Sequence, residues 1–161
     1  METGKKLKVL FSDLDGTLIK PIIGKDFPVG CYDMQPMFDT LEAIKNCKPN
    51  VVVIISNQGG IEEGYVNAYF FKNKIKWVGS IVAEYCKCEC LVDYCPSSNP
   101  NNVMRKPNIG MIDKYRAYAE SNHLDCEYLM IGDRSEDKQC AENAGISYYD
   151  VKDFIEEFKS E

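Results

Sequence analysis

The chain has one histidine in 161 residues. His123 falls at the end of a predicted helix, far in sequence from every polar motif, so catalysis built on histidine is disfavoured. A solvated residue near a helix C-terminus is its simpler role. A surplus of positive charge is also missing: 19 Lys and Arg face 25 Asp and Glu, a net charge of −6. Such a chain lacks the broad basic footprint of a protein that binds long nucleic acid, though a local basic groove is compatible with the total. Lys72, Lys74 and Lys76 are the candidate cluster for one, and alternate lysines on a helix more often form a solvated face. No apolar run approaches the roughly 20 residues of a membrane span, and none of signal-peptide length follows the opening METGKKLK. The expected location is therefore cytoplasmic, with the eight cysteines as reduced thiols. The phosphate-loop pattern GxxxxGK[ST] is absent, which argues against a kinase driven by a nucleoside triphosphate. There is no internal repeat and no linker, so residues 1–161 read as a single domain.

What is present is a chain of ordinary globular composition, 45% apolar and 27% charged, long enough to bury a core without disulfide or metal staples. Lys8–Phe11 reads as a strand, followed by some twenty residues too broken by Pro21, Gly24, Pro28 and Gly30 for a regular element. Met37, Phe38, Leu41 and Ile44 recur at helical spacing, predicting a helix from Gln35 to about Asn46. Val51–Ile55 is β-branched throughout, the pattern of a strand buried on both faces. Phe70, Ile75, Val78, Val82 and Tyr85 predict a helix over about 65–85, interrupted by Gly79. Cys90–Tyr94, Tyr128–Ile131 and Ile146–Val151 are further strands. Ile109–Ser121, Asp137–Asn143 and Asp153–Lys159 are further helices, and Pro96–Asn102 is a loop. Strands alternating with helices imply an α/β fold, a Rossmann-like three-layer sandwich around a mostly parallel sheet. Right-handed crossovers then bring the strand C-termini to one edge, where such sheets bind ligands.

Polar motifs collect at that edge. Asp13-Leu14-Asp15-Gly16-Thr17 follows the first strand, Ser56-Asn57-Gln58-Gly59-Gly60 the second, and Gly132-Asp133, with Asp137 four residues on, the strand 128–131. Arg105-Lys106-Pro107 sits where the loop meets a helix. Asp13, Asp15 and Asp133 would crowd three carboxylates together, a costly arrangement without a cation between them. Few oxygen ligands, with room left for water and phosphate, suit Mg²⁺. Ser56 and Lys106 supply a hydroxyl and a fixed charge for phosphoryl oxygens. A carboxylate beside a metal-bound phosphate can attack it and form an aspartyl-phosphate.

The set resembles the haloacid dehalogenase (HAD) superfamily of phosphohydrolases over Leu7 to about Val151. DLDGTL looks like its first motif, which implies Asp13 as nucleophile and Asp15 as acid/base. SNQGGI looks like the second, with Ser56 on the transferred phosphoryl group. RKPNIGM is similar to the third, with Lys106 as its lysine, and GDRSEDKQCAENAGI to the fourth, with Asp133 on the metal. The family implies Mg²⁺ bound by Asp13 and Asp133 side chains and the Asp15 main-chain carbonyl. Asp137 matches a second acidic position of the fourth motif, and a helix N-cap is an equally good reading of it. Thr17, Asn57 and Arg105 are the candidates for substrate contacts, Arg105 because its fork suits phosphate or carboxylate.

Within the superfamily the motifs look like the branch of histidinol-phosphatases and heptose-bisphosphate phosphatases. Polynucleotide 3′-phosphatases share part of the pattern, including a Phe-Pro after the first motif, here Phe27-Pro28. The heptose enzymes carry a zinc loop, from which this chain departs. Ser97-Ser98 follows Cys95-Pro96, Asn102-Val103-Met104 stands where a Cys-x-Cys would be, and one ligand of four remains, so zinc is not expected. The CKCEC of Cys86, Cys88 and Cys90 sits at a helix-to-strand junction, where alternate residues point in different directions. Helix, strand and loop already fill the span from Ser56 to Lys106, leaving a capless core. Its site should be shaded only by the loops Ile19–Asp33 and Pro96–Met104. The expected activity is Mg²⁺-dependent phosphomonoester hydrolysis, with a small phosphorylated metabolite such as a sugar phosphate as substrate. A nucleic acid 3′-end is the alternative, and a non-catalytic binding module on the same fold a second one.

Overall fold

The computed structural model describes residues 6–22 and 34–160. Gly24, Phe27-Pro28, Gly30, Cys31 and most of the loop expected to shade the site lie outside them. The centre is a five-stranded, wholly parallel sheet in the order β5-β4-β1-β6-β7. Its strands are β1 (Leu7–Ser12), β4 (Val51–Asn57), β5 (Glu89–Cys95), β6 (Cys126–Gly132) and β7 (Ser147–Asp150). Helices α1 (Phe38–Cys47), α2 (Ala68–Cys86) and α5 (Val151–Glu157) cover one face, and α3 (Gly110–Ser121) and α4 (Ser135–Ala144) the other. This is the three-layer α/β sandwich the alternation implied.

Alternation along the central strands builds both layers. Leu10, Val52 and Ile54 point toward α1 and α2, while Val9, Phe11, Val53 and Ile55 point toward α3 and α4. Successive strand residues face opposite sides, so a strand covered on both faces must be apolar throughout. Phe11 anchors the second layer, packed against the Tyr115 and Tyr128 rings at centroid distances of 6.0 and 5.9 Å.

Several boundaries differ from the sequence reading, for identifiable reasons. The region after Asp13 does contain regular structure: β2 (Ile19–Pro21) pairs antiparallel with β3 (Met34–Pro36). Three-residue strands are too short to leave a periodic signal, and a Pro at each outer position disguises them. Because Met34–Pro36 is spent on that ribbon, α1 begins only at Phe38. Helix α2 begins at Ala68 because the Asn67 side chain accepts the Phe70 N–H at 3.1 Å and caps it. It runs unbroken through Gly79, and Phe71 rather than Phe70 enters the core. No helix among the described residues is long and apolar enough to cross a membrane.

The loop between β5 and α3 is held by its own side chains. Asn99 and Asn102 accept the N–H groups of Asn101 and Met104, each at 2.9 Å. The Asn108 amide donates to the carbonyls of Pro100 and Asn102, both at 2.9 Å. The buried Cys95 thiol faces the Ser97 carbonyl. These are turn-forming amides bonding to nearby backbone. Asn108→Ala removes two of these bonds, and the expected loss is about 1 kcal/mol of stability in urea unfolding. Limited proteolysis should become faster within 97–104.

Candidate active site

With every strand of the sheet parallel, the segments after β1, β4 and β6 emerge at one edge. There they wall a cavity of about 580 Å³, whose inner end is formed by Asp13, Asp15, Ser56, Lys106 and Asp137.

Lys106 organises this end. It is 4% exposed. Its Nζ donates to Asp13 Oδ1 at 2.9 Å, to Asp137 Oδ1 at 2.7 Å and to the Ile55 carbonyl at 2.9 Å. All three ammonium hydrogens are thereby used. Burial alone would lower its pKa, but the Asp13 and Asp137 carboxylates outweigh that and hold the ammonium above the usual lysine range. The Lys106 main chain is fixed as firmly. Asn57 Oδ1 accepts its N–H at 2.8 Å, and Asn57 Nδ2 donates to its carbonyl at 2.9 Å. Asn57, expected to touch substrate, therefore spends its amide on holding Lys106.

Asp137 reconciles its two sequence readings. It is the third residue of α4 rather than its N-cap. One oxygen meets Lys106, and the other accepts the N–H groups of Asp133 and Arg134 at 3.3 and 3.2 Å, serving the free donors of the helix N-terminus. Gly132 makes room for this carboxylate, since a Cβ there would lie within 2.6 Å of the Asp137 side chain. Gly16, at φ +82°, does the same for Asp133, whose carboxylate packs where a side chain would start.

The carboxylates are crowded. Burial, a hydrogen bond with Asp13, and the charges of Asp13 and Asp137 push Asp133 up to about 7. Burial also raises Asp15, against the pull of Lys74 and a hydrogen bond from Gln58. Asp13, Asp133 and Asp137 are the one group of acidic, cysteine or histidine side chains, among the described residues, whose ligand atoms lie close enough to share a metal, all within 4.8 Å. Asp137 already accepts on both oxygens and Asp13 on one, from Lys106, so Asp133 and the second oxygen of Asp13 are what the set offers an ion. Hard oxygen donors crowded together, with Asp133 raised by its neighbours, fit a divalent cation of the Mg²⁺ type. Cys86, Cys88 and Cys90 form no such group. Burial pushes the Cys86 and Cys90 thiols up to about 12, leaving them protonated at neutral pH.

The remaining expected residues divide. Ser56 is buried on the cavity wall, and its Oγ accepts from Gln58 Nε2 at 2.8 Å. Thr17 is fully buried, is not on the wall, and its hydroxyl has no partner among the described residues. Arg105 does not line the cavity; its guanidinium donates to the Ser97 carbonyl at 3.1 Å and anchors the loop. The arginine on the wall is Arg134, loosely paired with Glu136 at 3.9 Å.

Sequence reasoning missed Arg134, Gln58 and Tyr65, and placed Lys74 in a solvent-facing basic cluster. Tyr65 and Val66 form the outer wall, with Tyr65 82% exposed. Lys72 and Lys76 are solvated, as lysines on a helix usually are, but Lys74 is buried with its Nζ 5.2 Å from the Phe71 ring centre. A signal was available for Lys74, which falls inside the apolar stripe of Phe71, Ile75, Val78 and Val82.

Removing Lys106 leaves Asp13 and Asp137 buried without their cation. Lys106→Met is expected to lose about 3–5 kcal/mol in denaturant unfolding. Lys106→Met with Asp137→Asn should lose less than the sum of the single losses, because the two changes share one interaction.

A family model described as polynucleotide kinase 3 phosphatase matches residues 8–155. Among curated proteins, the chain is 29% identical over 149 residues to the D-glycero-beta-D-manno-heptose-1,7-bisphosphate 7-phosphatase of Haemophilus ducreyi, covering 86% of this chain and 79% of that one. It is 30% identical over 149 residues to a D-glycero-D-manno-heptose-1,7-bisphosphate 7-phosphatase homologue of Thermoplasma acidophilum, covering 88% of each. Among solved structures, the D,D-heptose 1,7-bisphosphate phosphatase of B. bronchiseptica, crystallised with magnesium and phosphate, superposes with a TM-score of 0.70 at 20% identity, over 96% of this chain and 89% of that one.

Proposed function

The chain belongs to the polynucleotide kinase 3 phosphatase family and is a phosphatase of the HAD superfamily, and we propose that it hydrolyses small phosphorylated metabolites, sugar phosphates foremost, through an aspartyl-phosphate on Asp13. The observation that carries this reading is the pairing of two unlike carboxylates at the end of β1. Asp13 is held ready by Lys106 at 2.9 Å, and Asp15, two residues on, keeps a buried oxygen with no hydrogen-bond partner among the described residues.

In this reading an Asp13 oxygen attacks phosphorus, and the bond from phosphorus to the ester oxygen breaks. The ester oxygen takes its electron pair and a proton from Asp15, and the alcohol leaves. Water then attacks phosphorus, Asp15 takes its proton, the bond to Asp13 breaks and inorganic phosphate departs. Both proton transfers use one carboxyl group, Asp15, whose pKa burial raises above the ordinary aspartate value. Ser56 faces the phosphoryl oxygens. Lys106 holds Asp13 in place through its 2.9 Å hydrogen bond to Oδ1. Asp13, Asp133 and the Asp15 carbonyl would hold Mg²⁺, which supplies charge neutralisation at the phosphoryl group. Zinc has no part in this reading, because amide side chains hold the loop after Cys95 in place.

The substrate assignment rests on charge and shape. Glu136 lies on the wall beside Arg134. A net charge of −6 disfavours a polyanion. Tyr65 and Val66 offer an apolar wall to a sugar ring, and Arg134 a donor to its second polar group. The names of the relatives point the same way. The family description favours the other reading, a 3′-phosphorylated nucleic acid end, which the same experiment tests.

Purified protein should release phosphate from p-nitrophenyl phosphate, and EDTA should stop it. Asp13→Asn should lower kcat at least about 10³-fold with an unchanged circular dichroism spectrum. Added MgCl₂ should raise Tm, and much less so in Asp133→Asn. Survival of full activity in EDTA would refute the metal assignment.

Sugar phosphates should show the higher kcat/KM, nearly independent of salt. Arg134→Ala should raise KM more for them than for p-nitrophenyl phosphate. A 3′-phosphorylated oligonucleotide that outperforms them, with activity falling steeply as salt rises, would establish the nucleic acid reading instead.

A further inference from the structure

We propose, on the sugar phosphate reading above, that Tyr65 determines specificity: its ring takes the C–H face of a closed sugar ring, so the site prefers cyclic sugar phosphates to open-chain polyol phosphates.

The strand order puts β4 and β6 on either side of β1. The segment after β4 therefore carries Tyr65 to one side of Asp13 and Asp15, and the segment after β6 carries Arg134 and Glu136 to the other. The Tyr65 main chain is fixed. One carbonyl, that of Gly60, accepts the N–H groups of Tyr65 and Val66 at 2.8 and 3.0 Å. Gly64 turns the chain just before it at φ +84°, and the Asn67 cap starts α2 two residues on. The ring is largely exposed and belongs to no ring pair among the described residues, whereas Tyr69 and Phe70 pair with each other at 5.9 Å. A fixed backbone thus presents a free aromatic face on the cavity wall.

The two walls together match one kind of molecule. The face of an aromatic ring is negative, and the C–H bonds on one face of a sugar ring turn positive hydrogens toward it. The rim of such a ring carries hydroxyls, each a donor and an acceptor. Arg134 and Glu136 supply both partners, a guanidinium that donates and a carboxylate that accepts. At 3.9 Å they are too loosely paired to satisfy each other. A nucleobase has the flat face without the rim of hydroxyls. A second phosphate would meet the Glu136 carboxylate. An open-chain polyol has the hydroxyls but no rigid face, and it loses the freedom of its chain torsions on binding. Ring closure is therefore what Tyr65 reads.

The test compares glucose 6-phosphate and mannose 6-phosphate, each with the alditol 6-phosphate made from it by reduction. Both members of a pair release phosphate from the same primary alcohol, so the leaving group is alike and the ring differs. The readout is the ratio of kcat/KM, cyclic over open-chain, which does not depend on how much of a preparation is folded. In the wild type it is expected to exceed about threefold, the scale of one aromatic contact. Tyr65→Phe should keep it. Tyr65→Leu, apolar but without a flat face, and Tyr65→Ala should each lower it about threefold. A ratio close to one in the wild type, or a ratio unchanged in both Tyr65→Leu and Tyr65→Ala, overturns the role of Tyr65 and leaves the sugar phosphate reading standing. Nucleoside 3′-monophosphates hydrolysed better than either member of a pair, with that advantage lost in Tyr65→Ala, would assign the ring to a base and overturn the proposal. Failure to hydrolyse any hexose phosphate, with p-nitrophenyl phosphate still cleaved, overturns the sugar phosphate reading itself.

Discussion

A buried ammonium between two carboxylates is the constraint on which the rest of this protein turns. Lys106 reaches the end of β1 through Asp13, the start of α4 through Asp137 and the end of β4 through the Ile55 carbonyl. Three elements distant in sequence are thus joined by one side chain. Ionic groups so buried rarely add net stability over an apolar core, because removing charge from water costs several kcal/mol per ion. Their value here lies in placement. The ammonium fixes Asp13 on the cavity wall in a site crowded with other carboxylates.

Glycines and amides serve the same placement. Gly16 and Gly132 give up side chains so that Asp133 and Asp137 can pack against the backbone. Asn57 and Gln58, adjacent in sequence, divide the work at the end of β4. Asn57 grips the main chain of Lys106 and Gln58 the side chains of Asp15 and Ser56. Strand residues alternate in direction, so neighbours that have just left a strand reach opposite sides of the site. The crowding of acids, which pushes Asp133 up to about 7, leaves an arrangement that a cation fits.

The sheet and the inner end of the cavity were legible in the sequence, because both depend on strong local signals. β4 announces itself by an unbroken β-branched run, and Asp13, Ser56, Lys106 and Asp133 each stand where a strand or loop ends. What escaped depends on side-chain direction rather than residue type. Nothing in RKP says that Arg105 turns to the Ser97 carbonyl while Lys106 turns inward. Nothing in GDRS says that Arg134 reaches the cavity. Asn57 and Gln58 look equally suited to touch a ligand, and only the geometry shows their amides occupied. The β2–β3 ribbon escaped for another reason: three residues hold no period. Its pairing is with residues beyond a stretch of some dozen others, and a local pattern carries no trace of such a partner.

The grip of Asn57 on Lys106 closes a loop of 49 residues at its base. Within that loop lie α2, β5, Tyr65 and the amide-held turn before Arg105, and β5 is an edge strand bonded only to β4. The Tyr65 and Val66 side of the cavity therefore belongs to a segment whose two ends are fastened together, while Arg134 and Glu136 come from the start of α4. Residues between the fastened ends can drift, lengthen or be exchanged without carrying the reacting groups along. Chemistry and recognition are in this way separately heritable. A lineage built on this scaffold can reshape the Tyr65 side of the cavity by rewriting that segment beyond Gln58 while Asp13, Asp15 and Lys106 stay where they are.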